Sequence, residues 1–266
     1  MKKNPKMKKV VTYREKEGKE EVQCRIQRVQ DINDPINFSF YGKSGTGKTT
    51  ITGTFPKPLL IADVRDRGTK SIKNVSEVFV YPVRSTEDFE DLYWYLLDNP
   101  TKYKTLSLDT TTQLAQMVIT KFKGKGNMSR RVYGESSSYL NPWLIQFSEL
   151  PLITVFIAQE KLFGGFDEVD DDEIAPEVGL SIMPSIASTI NAAVDVIGNT
   201  FIREVSQRIK TNRGLKVKVS TEYCIRIGPH ARYLTKIRRD PSLGGEVPKI
   251  MVNPSHQKII NLMEGK

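Results

Sequence analysis

Residues 42–49 read Gly42-Lys43-Ser44-Gly45-Thr46-Gly47-Lys48-Thr49, with Thr50 next, and this stretch decides how the rest of the 266-residue chain is read. It fits G-x-x-x-x-G-K-[ST], the pattern of a phosphate-cradling loop. The glycines let backbone N–H groups turn inward around phosphate oxygens without a Cβ in the way. Lys48 brings a compact positive charge to the β and γ phosphates, and Thr49 offers a hydroxyl to Mg²⁺. The implied cofactors are ATP and Mg²⁺. The loop should follow a buried strand and open a helix, and the flanking residues have that texture.

Upstream, Ile36–Tyr41 is a short apolar run with Phe38 and Phe40. Downstream, Pro58–Ala62, Val78–Tyr81, Thr105–Leu108 and Leu152–Ala158 read as further buried strands. Between them, Ser85 opens a helix with Asp88 at the capping-box position, and Phe89, Leu92, Leu96 and Leu97 follow helical spacing. Helices are also predicted over Thr111–Phe122 and over about Tyr139–Glu149, where Pro142 obscures the start. Short apolar strands alternating with helices give an α/β fold, a mainly parallel sheet with helices on both faces. Alternation over Val217–Ile227, and Arg232–Ile237 after a Gly228-Pro229 turn, predict an antiparallel C-terminal extension. Pro254–Met263 closes the chain as a helix. Residues 1–31 read as a basic arm, with Val22–Val29 a weak edge strand or part of a solvated tail, and 32–266 as the core domain.

A phosphate-binding loop needs a second acid for its metal. Leu106-Ser107-Leu108-Asp109 places one at the C-terminal end of a buried strand, where open α/β sheets bind ligands; the competing role for Asp109 is a helix N-cap. Thr110, not Glu, follows it, so the adjacent general base is absent. Asp63, Asp66 and Glu160 are candidates to orient an attacking water, or they are ordinary loop acids. Gln159, at the end of the Leu152–Ala158 strand, is placed to sense a γ-phosphate, or is simply a polar strand end.

Composition sets the outer bounds. With 38% hydrophobic and 27% charged residues the chain can bury a core. The net charge of +9 is unevenly spread. Residues 1–31, 121–135 and 199–266 are net positive, 32–120 are neutral, and 160–178 are strongly negative. Cys24 and Cys224 are too far apart in sequence to argue a disulfide framework or a zinc site, so a reducing, cytoplasmic setting is expected. No apolar run is long enough to span a membrane, and the lysine-rich N-terminus lacks the apolar stretch of a signal peptide. His230 and His256 are isolated.

Several branches of phosphate-loop protein are weighed by absence. No N-K-x-D for guanine and no L-S-G-G-Q signature occur. Asp109-Thr110 lacks the acidic pair usual in AAA+ proteins and in superfamily 1 and 2 helicases. A small-molecule kinase stays open, with Lys121–Arg131 as a lid. The remaining features are Tyr41-Gly42 through Thr50, Phe55-Pro56-Lys57-Pro58-Leu59-Leu60-Ile61, Lys104 to Asp109, Tyr133-Gly134-Glu135, Ala158-Gln159-Glu160, Arg226-Ile227-Gly228-Pro229 and Leu234-Thr235-Lys236-Ile237-Arg238. On these, residues 33–262 resemble the RecA-like P-loop NTPase core and, more narrowly, the phage-encoded RecA-like nucleotide-binding family that includes RecA/RadA-like single-strand-annealing recombination proteins. The resemblance implies a Mg²⁺-dependent ATPase working as a ring or filament, with Lys236 and Arg238 as a basic finger completing a neighbour's site. For those two the alternatives are a basic strand face or phosphate contacts. Two departures stand out. Asp63-Val64-Arg65 holds arginine where the family carries a catalytic glutamate, and Asp167–Glu173 is acidic where a DNA-facing loop is expected.

The resemblance also places a DNA-facing loop after the Asp109 helix. Lys121, Lys123, Lys125, Arg130 and Arg131, interleaved with Gly124, Gly126 and Ser129, suit a phosphate backbone. Tyr133 is positioned to stack on a base, and Lys2, Lys3, Lys6, Lys8 and Lys9 to add sequence-independent contacts. The expected partners are single-stranded DNA, further copies of the chain and a single-strand-binding protein. The expected activity is annealing or strand pairing in phage recombination or replication, in the host cytoplasm. The rival is a nucleotide-gated loader or assembly factor, favoured by the acidic 167–173 segment.

Overall fold

The computed structural model describes residue 28 and residues 32–65, 68–164, 176–211 and 214–266. The fold below is that of the compact unit Pro35–Lys266. The lysines of the arm, the Val22–Val29 strand, Cys24, Asp66 and the acidic segment Asp167–Glu173 lie outside the described residues, Arg28 apart.

The phosphate-loop strand, β1 (Phe38–Gly42), is buried along its whole length. Buried on both faces, it must be apolar throughout rather than alternating, which is why Phe38-Ser39-Phe40-Tyr41 reads as a run. The chain continues α1 (Lys48–Thr52), β2 (Leu59–Val64), a 3₁₀ turn (Gly68–Ile72), β3 (Val78–Val83), α2 (Thr86–Asp98), β4 (Thr105–Asp109), α3 (Thr111–Lys123) and α4 (Arg130–Ser148). Then come β5 (Ile153–Ala158), β6 (Glu160–Phe163), β7 (Glu177–Leu180), α5 (Pro184–Ala193), β8 (Val196–Thr211), β9 (Gly214–Arg226), β10 (Lys236–Ile237), β11 (Ile250–Val252) and α6 (His256–Met263). The main sheet runs β11-β9-β8-β1-β5-β4-β2-β3, with β10 also on β8. From β8 to β3 every pairing is parallel. β9, β10 and β11 add on antiparallel, as the alternation in the C-terminal third predicts. β6 and β7 form a separate hairpin. The strand ending in Asp109 is thus separated from the phosphate-loop strand by β5, which ends at Ala158.

Helices cover both faces. On one, α2, α3, α4 and α5 pack residues such as Phe89, Leu114, Leu144 and Ile190 against Tyr41, Leu106, Leu108 and Phe156. On the other, Ile51, Phe55 and Ile259 pack against Phe38, Phe40, Ile157 and Ile225. Burying one side chain of this size contributes about 1.5–3 kcal/mol. The Ser85 capping box is formed: Ser85 Oγ accepts from Asp88 N at 3.1 Å, and Asp88 Oδ2 accepts from Ser85 N at 2.9 Å.

One helix differs from expectation. α4 begins at Arg130, capped by Ser129, and passes straight through Pro142. A buried stripe (Val132, Ser136, Leu140, Leu144, Phe147) holds it. The bond that Pro142 cannot donate would have gone to Ser138, and both residues are exposed, so water can satisfy that carbonyl. Likewise, of the Arg232–Ile237 strand only Lys236–Ile237 joins the main sheet, while Tyr233 makes an isolated parallel bridge with Val178, and the closing helix starts at His256 rather than Pro254. Among the described residues no helix is long and apolar enough to cross a membrane.

His256 lies against Phe55 and Phe38, with ring centroids 4.6 and 5.8 Å away, and its Nε2 is buried without a hydrogen-bond partner among the described residues. Burial holds its pKa below the usual 6.5. The unfolded chain therefore takes up a proton as pH falls through about 6.5 while the folded chain resists it. The associated stability is complete above that pH and lost below it. In urea unfolding, the midpoint of the natural chain should drop more between pH 7.5 and 5.5 than that of His256→Phe; parallel losses would show that His256 does not titrate in this range.

Candidate functional site

The site is assembled at the C-terminal ends of β1, β4, β5 and β2, with β8 alongside. Gly42 ends β1, register-paired with Thr200 of β8. A Cβ on Gly42 would sit 2.3 Å from the Thr200 carbonyl oxygen and 2.5 Å from its hydroxyl. Only glycine permits that approach. Thr200, 1% exposed, uses it to hold the loop: its Oγ1 lies 2.7 Å from Thr46 Oγ1 and donates to Tyr41 O at 3.3 Å. Thr46 Oγ1 also reaches Lys43 O at 2.8 Å, which closes the turn from within. Gly47 has φ +90°, a left-handed conformation, and leads into α1. Ser44 and Gly45 are exposed at the tip, and Thr50 is exposed on α1.

Lys48 is buried, and its Nζ donates to Gly42 O at 2.8 Å and Lys43 O at 2.7 Å. The ammonium therefore sits inside the mouth of the loop. Thr49 Oγ1 donates to Asp109 Oδ2 at 2.8 Å, and Asp109 is 3% exposed. Of the two roles open for Asp109, the helix cap is filled by its neighbour. The N-cap of α3 is Thr110, whose side chain accepts from Gln113 N at 3.2 Å. Thr111 Oγ1 donates to Ile157 O, and Thr112 Oγ1 accepts from Gln159 N. The three threonines fasten α3 to the sheet and leave Asp109 to face Thr49.

These two oxygens are hard donors of the kind Mg²⁺ takes, and Mg²⁺ commonly uses one or two protein groups together with substrate phosphates. A Cβ on Gly68 would lie 2.8 Å from Thr49 Oγ1 and 3.6 Å from Asp109 Oδ2, so the glycine leaves that side clear. The residues present fit the ion. Among the described residues no cluster of three or more His, Cys, Asp or Glu side chains could hold a metal by itself.

The remaining candidates fall into three groups. Asp63 is register-paired with Asp109 on the neighbouring strand, and Arg84 holds it with a 3.3 Å ion pair to Oδ2 and a 2.8 Å bond to its carbonyl. Gln159 follows Ala158, the register partner of Tyr41, and so stands between the loop and Asp109; it is exposed. Glu160 is engaged elsewhere, accepting from Asn199 Nδ2 at 3.1 Å. Asn199 Oδ1 in turn accepts from Arg226, whose guanidinium lies over the Phe201 and Tyr233 rings, 3.7 and 4.1 Å from their centroids.

Lys236 and Arg238 are not at this site. β10 pairs with Val196 and Ile197, at the opposite end of the parallel strands. Lys236 Nζ donates to Asn191 O and Val194 O at 2.5 and 2.6 Å, while Arg238 pairs with Asp195 at 2.9 Å and donates to Ala192 O. Both cations close the C-terminus of α5, where carbonyls lack helical partners and the helix dipole favours positive charge. Burial, then the Arg238 charge, lowers the Lys236 pKa. To reach a neighbour's phosphates either side chain would have to release those carbonyls.

The basic segment is also smaller than its sequence suggests. Lys121 and Lys123 belong to α3 and Arg130 and Arg131 to α4. Lys121 donates to Glu87 at 2.9 Å and to Thr86, and its bond pulls the Glu87 carboxyl down to about 2. Arg131 pairs with Glu135. Lys123, Lys125 and Arg130 have no such partner among the described residues. Beside them opens a cleft of about 950 Å³ between α3, α4, β6 and the start of α5, lined by Gln113, Tyr133, Ser137, Lys161 and Phe163 among others.

Sequence reading missed Thr200, Gly68 and Arg84. Thr200 had a faint signal, a polar pair closing the run Val194–Ile197, but nothing local marks which strand flanks Gly42.

A family model described as an AAA domain matches residues 34–239. No curated protein matches the chain. The missing acidic pair at Asp109-Thr110 therefore does not exclude this branch: Thr110 is occupied as the α3 cap. The Thr49–Asp109 contact carries its own prediction. Asp109→Asn preserves shape but removes charge, so Mg·ATP affinity by calorimetry should fall on the order of tenfold, about 1.4 kcal/mol, with metal-free ATP affinity retained. Equal affinities with and without Mg²⁺ in both proteins would refute the metal role.

Proposed function

The chain belongs to the AAA domain family of P-loop NTPases, and from that premise we propose that it is a Mg²⁺-dependent ATPase acting on single-stranded DNA, with self-association completing its sites. In this reading Lys48 exchanges its loop carbonyls for the β and γ phosphates. Thr49 and Asp109 would hold a Mg²⁺ ion, which would supply positive charge to offset the negative charge developing on the phosphates. Asp63 orients the attacking water, kept in place by Arg84, and Gln159 meets the γ-phosphate from the end of β5. Glu160 is left out, because its carboxylate belongs to the Asn199–Arg226 chain.

The observation that carries the DNA reading is α3. It starts two residues after Asp109 and ends at Lys123, with Lys125 just beyond its end and Arg130 opening α4. Its 13 residues form a stiff link of about 20 Å at 1.5 Å per residue. Tyr133 (47% exposed) and Phe163 supply aromatic faces in the adjoining cleft, a combination suited to stacked bases along a phosphate backbone. Annealing or strand pairing in phage recombination is the specific activity this arrangement would serve.

Gel shifts with and without ATP at two salt concentrations test the reading. Binding should weaken steeply with salt, and Lys123→Ala/Lys125→Ala/Arg130→Ala should both weaken it and flatten the salt slope by up to about three, one per lost phosphate contact. No single-stranded DNA binding at low salt refutes it. Self-association is read by mixing. If Lys236 or Arg238 acts on a neighbour, Lys48→Ala protein combined with Lys236→Ala/Arg238→Ala protein regains ATPase activity. If mixtures stay inactive while assembly is normal, the two residues serve only to close α5.

A further inference from the structure

β8 and β9 pair from Asn199↔Arg226 out to Thr211↔Gly214, so the hairpin continues well past the level of Gly42, which pairs with Thr200. Cross-strand partners share a face. Tyr223 is two residues from Ile225, which is buried against Phe40 and Ile51 on the α1 side of the sheet. Tyr223 therefore points to the same side as α1, and contact confirms it: a Cβ built on Gly47 would meet Tyr223 Cδ1 at 3.1 Å, with Cε1 and Cγ at 3.8 and 3.9 Å. The ring lies against the phosphate loop itself. It is nevertheless 47% exposed, and its cross-strand partner Ile202 is 51% exposed. An aromatic side chain thus stands open to solvent beside Gly47, with an exposed aliphatic side chain as its cross-strand partner, on the flank of the loop along which a nucleotide held by Lys48 would continue away from its phosphates.

We propose that Tyr223, with Ile202 beside it, is the platform on which the nucleobase stacks, an inference that rests on nucleotide binding at Lys48 and Thr49. The occupant is fixed by covalent continuity, since a base tied to phosphates in this loop is delivered to the loop's flank. The chemistry sets selectivity. A ring and an aliphatic chain read a π-face and not a base edge, so purines of either kind are accepted and discrimination between ATP and GTP is weak. The platform also joins the base to the β8–β9 hairpin, so an occupied site braces the hairpin against the phosphate loop.

Calorimetry with Mg·ATP, Mg·GTP and inorganic tripolyphosphate separates the base from the phosphates. Tyr223→Ala should weaken ATP and GTP alike by roughly 5- to 150-fold, the effect of losing one stacked aromatic, and leave tripolyphosphate affinity unchanged. Tyr223→Phe should retain binding. Tyr223→Trp should give fluorescence that ATP quenches and tripolyphosphate does not. Unchanged ATP affinity in Tyr223→Ala overturns the proposal, and so does an equal loss for ATP and tripolyphosphate, which would mean that the ring only props Gly47. Tripolyphosphate binding that survives Lys48→Ala would instead overturn the phosphate site, and the platform with it.

Discussion

The close approach of β8 to Gly42 governs the rest of the site. β1 has parallel neighbours on both flanks, so its C-terminal end cannot drift sideways. The Thr200 carbonyl occupies the space where any side chain at position 42 would be. From that pinned end the loop must turn back over the strand, and Thr46 is locked to both Thr200 and Lys43. Lys48 and Thr49 follow within three residues. Their positions are consequences of strand packing more than of the loop's own preferences.

The same packing explains how buried polar groups are divided. Asp109 is nearly inaccessible yet has a partner in Thr49, and Thr110, Thr111 and Thr112 supply the cap and sheet contacts for α3. Burial without partners would cost about 1–3 kcal/mol per group. Tyr41 works on the opposite face. Its phenol donates toward Val178 O and Leu234 O, tying β7 and the segment before β10 to the phosphate-loop strand. Burial, with Glu160 and Glu177 nearby, pushes its pKa well above the ordinary tyrosine value, so it stays a donor. Through Tyr41, Asn199 and Arg226, the strand that carries the loop also holds the β6–β7 hairpin and the C-terminal strands.

Much of this was legible in the chain. Gly42–Thr49 names its own chemistry, because each residue type has one job there. The capping box at Ser85 and Asp88 is a local signal and forms as expected. β1, β2, β4 and β5 are apolar runs because both their faces are covered. Other features were obscured by competing local signals. Pro142 hid the first half of α4, whose buried stripe outweighs one missing backbone bond. Lys121–Arg131 therefore looked like one long basic loop, although its ends are helical and Lys121 is paired with Glu87. The bonds that Lys236 and Arg238 make to carbonyls at the end of α5 are likewise invisible in the sequence.

The amino-acid sequence by itself determined the phosphate-binding loop, the α/β alternation and the acid at the end of a buried strand. These depend on residue type and short-range spacing. Only the tertiary structure decided which strand flanks Gly42, that Asp109 faces Thr49 while Thr110 caps α3, and that Tyr223 lies against Gly47. Those contacts join residues about 60 to 180 positions apart, and they arise from the order and register of strands in the sheet, which no local pattern encodes.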